Sequence, residues 1–82
     1  MHRYSHRMRF LVVYSRSRRE LISVEQFATS QEQIADLSRR ESVNDDPDIE
    51  VVALQSTSFK ALKVTHGRYF VSAPEDLQPT QR

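Results

Sequence analysis

The first apolar stretch of the chain covers residues 8–14 and reads Met-Arg-Phe-Leu-Val-Val-Tyr. Five polar residues, 15–19, interrupt it, and a second stretch rich in β-branched residues follows over 20–27. Short apolar segments on either side of a polar gap predict the two strands of a β-hairpin. The gap contains no glycine, so we expect a loop of about four or five residues and not a tight two-residue turn.

The pattern changes after the predicted hairpin. Thr29 and Ser30 are each followed three residues later by Glu or Gln, an arrangement that fits a capping box at the start of a helix. The apolar stripe of this helix is thin and consists of Ile34, Ala35 and Leu37, with polar residues around it. Such a stripe predicts a helix that lies on the surface of the domain.

A third strand and a second helix complete the pattern. Residues 49–54 are nearly all apolar, which is typical of an interior strand covered on both faces. Serine and threonine residues follow, and then apolar positions recur at helical spacing. We therefore expect a second helix from about residue 58 to a point between residues 66 and 70.

The order β-β-α-β-α predicts an α+β fold with two layers. A strand-helix-strand connection is almost always right-handed and sets the third strand parallel to the second. Placing the third strand beside the first gives a three-stranded, mainly antiparallel sheet in the order 2-1-3, with both helices on one face. We expect one domain over residues 8–71, with a flexible basic N-terminal tail at 1–7 and a flexible C-terminal tail at 72–82.

Alternation along the strands leaves apolar side chains on both faces of this sheet. If two short helices cover one face only, Leu11, Val13, Val52 and Leu54 stay exposed on the other. Burying each of them is worth roughly 1.5–3 kcal/mol, so we expect this face to be an interface, most simply in a two-fold homodimer. The function we predict is that of a small non-catalytic protein-interaction or regulatory module. The alternative is that one of the tails folds across this face within a single chain.

The net charge of +1 hides an uneven distribution along the chain. Residues 1–19 contain six arginines and no acid, whereas residues 20–50 contain nine acids and two arginines. A second hypothesis is therefore binding of nucleic acid or phosphate through arginines of the N-terminal region and the 15–19 loop, namely Arg9, Arg16, Arg18 and Arg19. The sequence pI of about 8.2 and the acidic middle favour a protein partner over a long polyanion.

Residues 66–70, His-Gly-Arg-Tyr-Phe, hold a histidine, the only glycine and two adjacent aromatic rings. Glycine directly after a helical segment commonly takes a positive φ, and a histidine in the last turn complements the helix dipole. We therefore interpret this segment as the end of the second helix and not as a catalytic site.

Composition argues against most catalytic and metal-binding chemistries. The chain has no cysteine, and one glycine is too few for a phosphate-binding glycine-rich loop. His2 and His6 are four apart but lie in no predicted helix, and the acidic segment 44–48 lacks the pattern of a calcium loop. We predict no enzyme activity, no metal and no cofactor. No apolar run is long enough for a membrane span or a signal peptide, so we expect a cytoplasmic protein.

Overall fold

The computed structural model describes residues 7–82 and has an α+β fold with two helices and one mixed sheet. The elements are, in chain order, β1 (Met8–Ser15), β2 (Glu20–Phe27), α1 (Ser30–Val43), β3 (Ile49–Ser56), α2 (Phe59–Thr65), a 3-10 turn (Gly67–Tyr69) and β4 (Thr80–Gln81). The strand order is β3-β1-β2-β4. Apart from Arg7, the predicted N-terminal tail lies outside the described residues.

The sheet differs in one strand from the sheet that we predicted. The first three strands lie in the expected order and β1 is antiparallel to both neighbours. The addition is β4, which pairs parallel to β2 through Glu25 and Gln26, so the sheet has four strands and is mixed. Both residues of β4 are polar and exposed, which is why no hydrophobic pattern in the sequence indicates this strand.

The central strand β1 is the most deeply buried element of the chain. Phe10, Leu11 and Val12 are completely inaccessible to solvent, although successive side chains of a strand point to opposite faces. Both faces of the sheet must therefore be covered near β1.

The α2 helix and the residues after it cover the face that carries Phe10, Val12 and Tyr14. This core cluster also contains Val24, Leu62, Tyr69 and Phe70. Two of its rings, those of Tyr14 and Tyr69, contact each other edge to face, with 5.1 Å between their centroids. Such aromatic contacts stabilise a core beyond the area that they bury.

The α1 helix covers the opposite face, which carries Leu11 and Val13. The β1–β2 register places Leu11 beside Glu25, and the Arg40 side chain on α1 forms an ion pair with that glutamate. The prediction that both helices share one face is therefore wrong. The physical reason is that β1 is apolar on both faces, and one layer of helices would leave Leu11 and Val13 in water.

The α1 helix turns polar residues toward the sheet. Its N-cap is Thr29, one of the two positions that the sequence offered, and Thr29 accepts a hydrogen bond of 3.1 Å from the amide of Glu32. Gln33 and Asp36 are each only 3% exposed, whereas Ile34 is 57% exposed. Of the expected apolar stripe of α1, Ile34 and Ala35 are therefore exposed and only Leu37 is half-buried.

The Gln33 side chain ties α1 to two strands at once. Its Nε2 donates to the carbonyl oxygens of Phe10 on β1 and Leu54 on β3, at 2.9 and 3.1 Å. A buried NH₂ group that donates to both strands specifies one position of the helix over the sheet, since any shift leaves these donors without acceptors.

Charged side chains form a second link between α1 and the sheet. Asp36 pairs with Arg39 and Arg40 within the helix, and Arg40 also reaches Glu25 on β2. Glu25 pairs in addition with Arg82, at 3.3 Å. Because Asp36 is buried, loss of both arginine partners would leave a costly uncompensated charge.

The segment that we assigned to a C-terminal tail contacts the sheet. Ala73 and Leu77 pack against the core cluster, and the hydroxyl of Ser72 donates to the carbonyl of Arg19 at 3.3 Å. The amide of Arg82 donates to the carbonyl of Gln26 at 2.9 Å. Residues 72–82 therefore lie along the side of β2 that faces away from β1.

We expect Gln33→Ala to lower the free energy of unfolding by about 1–3 kcal/mol, because it removes a buried donor that serves two strands. Gln31→Ala is the matched control, since Gln31 is exposed on the same helix, and it should change stability by less than about 0.5 kcal/mol. Urea denaturation of both variants provides the measurement. Equal changes in the two variants would show that Gln33 does not fix the helix on the sheet.

Candidate functional site

Two surfaces of the described chain have features of a binding site. The first is the β3 edge, which we define as the side of β3 that faces away from β1. The second is the arginine cleft, a cavity of about 400 Å³ lined by Tyr14, Arg16, Arg19, Arg68 and Val71.

The direction of each backbone group on β3 follows from its pairing with β1. The amide of Arg16 donates to the carbonyl of Asp48 at 2.9 Å, which continues the β1–β3 ladder beyond Ser15 and Ile49. In an antiparallel pair, residues that exchange hydrogen bonds alternate with residues that do not. Residues 50, 52 and 54 therefore direct their N–H and C=O groups toward β1. The hydrogen bonds of Gln33 agree with these directions. One side-chain NH₂ group can reach the carbonyls of both Phe10 and Leu54 only if both carbonyls lie between β1 and β3.

The alternate residues of β3 consequently turn their backbone groups outward. Ile49 is satisfied within the chain, because its N–H donates to Asp46 at 3.1 Å and its C=O accepts from the Asn44 side chain at 3.3 Å. Val51, Ala53 and Gln55 also face outward, and among residues 7–82 no group forms a hydrogen bond with their outward N–H and C=O groups.

The side chains of β3 leave this edge apolar and regular. Val51, Val52 and Leu54 are half-buried and Ala53 is exposed. The strand has eight residues, contains no proline and pairs with β1 without a register shift. Its one charged residue, Glu50, directs its carboxylate to Arg68 and Tyr69.

The other side of the sheet is different. The β1–β2 register shifts between Val13 and Tyr14, so Ile22 on β2 is the extra, unpaired residue of a bulge. The segment 72–82, which contains two prolines, then lies along the outer side of β2 and ends in β4. Bulges, prolines and covering segments are the usual means by which proteins block edge pairing.

The arginine cleft lies at the end of the sheet that carries the hairpin loop. The loop has four residues, Arg16–Arg19, as the sequence predicted. Arg19 has a φ of 55°, a left-handed conformation that turns the chain back into β2. Asp48 holds the loop, because its carboxylate accepts hydrogen bonds of 2.6 Å from the Ser15 hydroxyl and from the Ser17 amide.

Glu50 organises the inner wall of the arginine cleft. Its Oε2 accepts hydrogen bonds of 2.9 Å from Arg68 and from the Tyr69 hydroxyl, and Arg16 lies 3.5 Å from its Oε1. The Arg68 guanidinium lies 4.2 Å from the Tyr69 ring centroid and 5.6 Å from that of Tyr14. Stacked and hydrogen-bonded in this way, Arg68 has a defined position in the cleft.

These contacts shift the protonation equilibria of the cleft. Burial acts to raise the pKa of Glu50, but hydrogen bonds from Tyr69 and Arg68 and the charges of Arg68 and Arg16 outweigh it, so this pKa lies below its ordinary value. The hydrogen bond from Ser15 is the main cause that lowers the pKa of Asp48. Burial raises the pKa of Tyr69, which therefore remains a donor at neutral pH.

The residues predicted for a protein interface do not form one surface. Leu11 is fully buried and Val13 is 9% exposed within the single chain. Val52 and Leu54 belong to the opposite face, where they pack against the core cluster, because the register pairs them with Val12 and Phe10. The predicted location of the interface is therefore wrong, because these four positions do not form an open sheet face. A charged residue in place of the buried Leu11 would disturb folding and would not report on binding.

The predicted phosphate contacts are only partly brought together. Arg16 and Arg19 line the arginine cleft, whereas Arg18 is exposed in the same loop but does not line it. Arg9 lies on β1 and donates to the carbonyl of Arg7 at 3.3 Å. Arg68 was not among the predicted contacts, although its position directly before Tyr69 and Phe70 was a signal for a guanidinium beside aromatic rings.

The segment 66–70 ends the second helix, as we interpreted it, but in a different conformation. His66 is the C-cap of α2, and Gly67 begins the 3-10 turn with a negative or extended φ. Gly67 therefore lacks the positive φ that we expected; among the described residues Arg19, in the hairpin loop, has one. Nothing lies within 4 Å of the place where a Cβ on Gly67 would sit, so a side chain fits at this position.

In the part of the chain that the structure describes, no three His, Asp or Glu residues stand close enough together to hold a metal ion. No helix within residues 7–82 has the length and apolar character to cross a membrane. His2 and His6 lie outside the described residues.

No protein-family model, curated protein or solved structure matches the chain. Any function must therefore be argued from the geometry of the β3 edge and of the arginine cleft.

The lowered pKa values predict acid sensitivity. A carboxylate whose pKa is lowered by folding stabilises the protein above its ordinary pKa, which is 4.5 for Glu50 and 3.8 for Asp48, and this stabilisation is lost as the pH falls through the folded values. We expect Glu50→Gln to reduce stability by about 1 kcal/mol at neutral pH and to flatten its decline below about pH 5.

Thermal unfolding measured between about pH 3 and pH 7 tests this expectation. Glu75→Gln is the control, because Glu75 is exposed and should leave the pH profile as it is in the natural chain. A Glu50→Gln profile parallel to that of the natural chain would contradict the role given to this carboxylate.

Proposed function

We propose that this protein is a small interaction module that self-associates strand to strand through the β3 edge. The partner is a second copy of the chain, related by a two-fold axis. This proposal keeps the protein-binding hypothesis from the sequence and moves it from the sheet face to the sheet edge.

The symmetry of the outward backbone groups carries the proposal. Val51, Ala53 and Gln55 are evenly spaced along β3, with Ala53 at the centre. A two-fold axis through Ala53, perpendicular to the sheet, pairs Ala53 with its equivalent and Val51 with Gln55 of the second copy. Residues that pair in this way exchange two hydrogen bonds in each pair, so every outward N–H and C=O of the three residues gains a partner.

The side chains fit the same register. On the face of the core cluster, Val52 of one copy lies opposite Leu54 of the other, so two half-buried apolar side chains cover each other. On the α1 side, Ala53 lies opposite itself, and its small methyl group does not obstruct the approach of the strands. Association therefore buries apolar surface as well as backbone groups.

The contrast between the two edges supports β3 as the site of association. Soluble proteins usually protect a long edge strand with prolines, bulges, lysines or a covering segment. The outer side of β2 has a bulge and is followed by the segment 72–82, whereas β3 has no such protection among residues 7–82. Strand addition is a common mode of protein recognition at edges of this kind.

We expect Ala53→Lys to dissociate the pair, because the substitution places two positive charges directly opposite each other at the two-fold axis. Sedimentation equilibrium should show a dimer for the natural chain and an association at least about tenfold weaker for this variant. Ala35→Lys is the matched control: Ala35 is also exposed, but it lies on α1, and its variant should remain a dimer.

The fold of each variant is checked by circular dichroism, since Ala53 is exposed and its replacement should leave the monomer intact. A natural chain that sediments as a monomer at about 100 micromolar would rule out the proposed pair. If Ala53→Lys and Ala35→Lys associate equally strongly, the interface does not lie at the β3 edge.

Amide hydrogen exchange gives an independent prediction for single residues. The amides of Val51, Ala53 and Gln55 should exchange slowly at high protein concentration and quickly on dilution, because the second copy supplies their acceptors. The amides of Val52 and Leu54 donate to β1 and should not depend on concentration. Protection of all five amides at every dilution would contradict the outward direction that we assign to the first three.

A further inference from the structure

We infer that the arginine cleft binds the phosphate group of a small phosphate ester. This site is separate from the two-fold axis at Ala53 and does not depend on self-association. The phosphate hypothesis from the sequence named Arg9, Arg16, Arg18 and Arg19. The inferred site includes Arg68 in place of Arg9 and Arg18, and its ligand is a small molecule.

The charge balance of the cleft indicates an anionic ligand. Arg16, Arg19 and Arg68 line one cavity, and Glu50 is the carboxylate that pairs with two of them. Within residues 7–82, no carboxylate forms an ion pair with Arg19. Three guanidinium groups around one carboxylate leave an excess of positive charge, which a phosphate dianion neutralises. Guanidinium donors match phosphate oxygens in both geometry and charge.

Two of the three arginines are held in place by the protein itself. Arg68 is fixed by Glu50 and by the Tyr14 and Tyr69 rings. Arg16 donates from Nη1 to the carbonyl of Pro47 at 2.8 Å. Side chains that are already ordered lose little conformational entropy when a ligand arrives, which favours binding.

The hairpin loop brings the third arginine to the cleft. The left-handed φ of Arg19 sets its direction at the end of the loop, and the carbonyl of the same residue accepts a hydrogen bond from Ser72. Asp48 holds the other end of the loop through Ser15 and Ser17. The backbone on both sides of Arg19 is therefore anchored, while its side chain is exposed to solvent.

The surroundings favour a small ester over a nucleic acid. Asp45 and Asp46 line a neighbouring depression that also includes Arg16, so a long polyanion would meet negative charge there. The Tyr14 ring is only 5% exposed and lies beneath Arg68, so it offers no surface on which a base can stack. Val71, which is 84% exposed, supplies an apolar wall for the organic part of an ester.

The test is a titration of the ¹⁵N-labelled full chain with phenyl phosphate, and separately with inorganic phosphate, at constant ionic strength. Both probes should shift the amide resonances of Arg19, Arg68 and Val71, with tighter binding of phenyl phosphate because of Val71. Arg19→Gln should weaken binding about tenfold or more, since one charge-assisted contact is lost. Arg18→Gln is the matched control, because it removes the same charge from the same loop without changing the lining of the cleft.

Three outcomes would overturn the inference. Absence of any shift with either probe excludes a phosphate site, and equal weakening by the Arg18 and Arg19 variants shows non-specific attraction to a basic loop. Tighter binding of an oligonucleotide without terminal phosphates than of phenyl phosphate would identify nucleic acid as the ligand. Within residues 7–82 the Arg19 side chain forms no ion pair, and its backbone carbonyl accepts the hydrogen bond from Ser72. A spectrum of the Arg19→Gln variant with the natural dispersion therefore confirms that folding is unchanged.

Discussion

The structure depends on one constraint, which is that β1 is apolar on both faces and must be covered on both. Phe10 and Val12 require the layer formed by α2 and the residues after it, whereas Leu11 requires α1 on the opposite side. A strand covered in this way must also have neighbours on both edges, which β2 and β3 provide. Because the domain is small, no further strand lies on the outer side of β3 among residues 7–82. The edge that we propose for association is thus a consequence of the burial of β1.

The sequence predicted the elements of the fold better than their arrangement. The first three strands and a hairpin loop of four or five residues depend on nearby residues and were predicted, and Thr29 was one of the two N-cap positions that the sequence offered. The two-residue strand β4 was not predicted. The faces depend on the register between strands that are far apart in sequence, and a mistake of one residue moves a side chain to the other face. For that reason Val52 and Leu54 were grouped with Leu11, although the ladder pairs them with the other face of β1.

The side of α1 that faces the sheet could not be predicted from the pattern of apolar residues either. The rule that apolar residues face the core selects Ile34, but the structure buries Gln33 and Asp36, which satisfy strand carbonyls and arginines. The partners of these polar groups come from other parts of the chain, so their burial has no local signal. The same reason explains why the arginine cleft was not predicted in full. Glu50 and Arg68 are separated in sequence by α2, and their ion pair forms only in the folded chain.

The small strand β4 has a consequence for the number of copies in an assembly. A sheet with two open edges can add molecules without end and grow into fibres, because each addition creates a new edge. Here the chain returns along β2 and covers its free side with β4. In the dimer that we propose, the two-fold axis would cover the remaining side, the β3 edge, in both molecules. Such an assembly would stop growing at a closed pair, because the short polar strand β4 leaves no second long edge for a further copy.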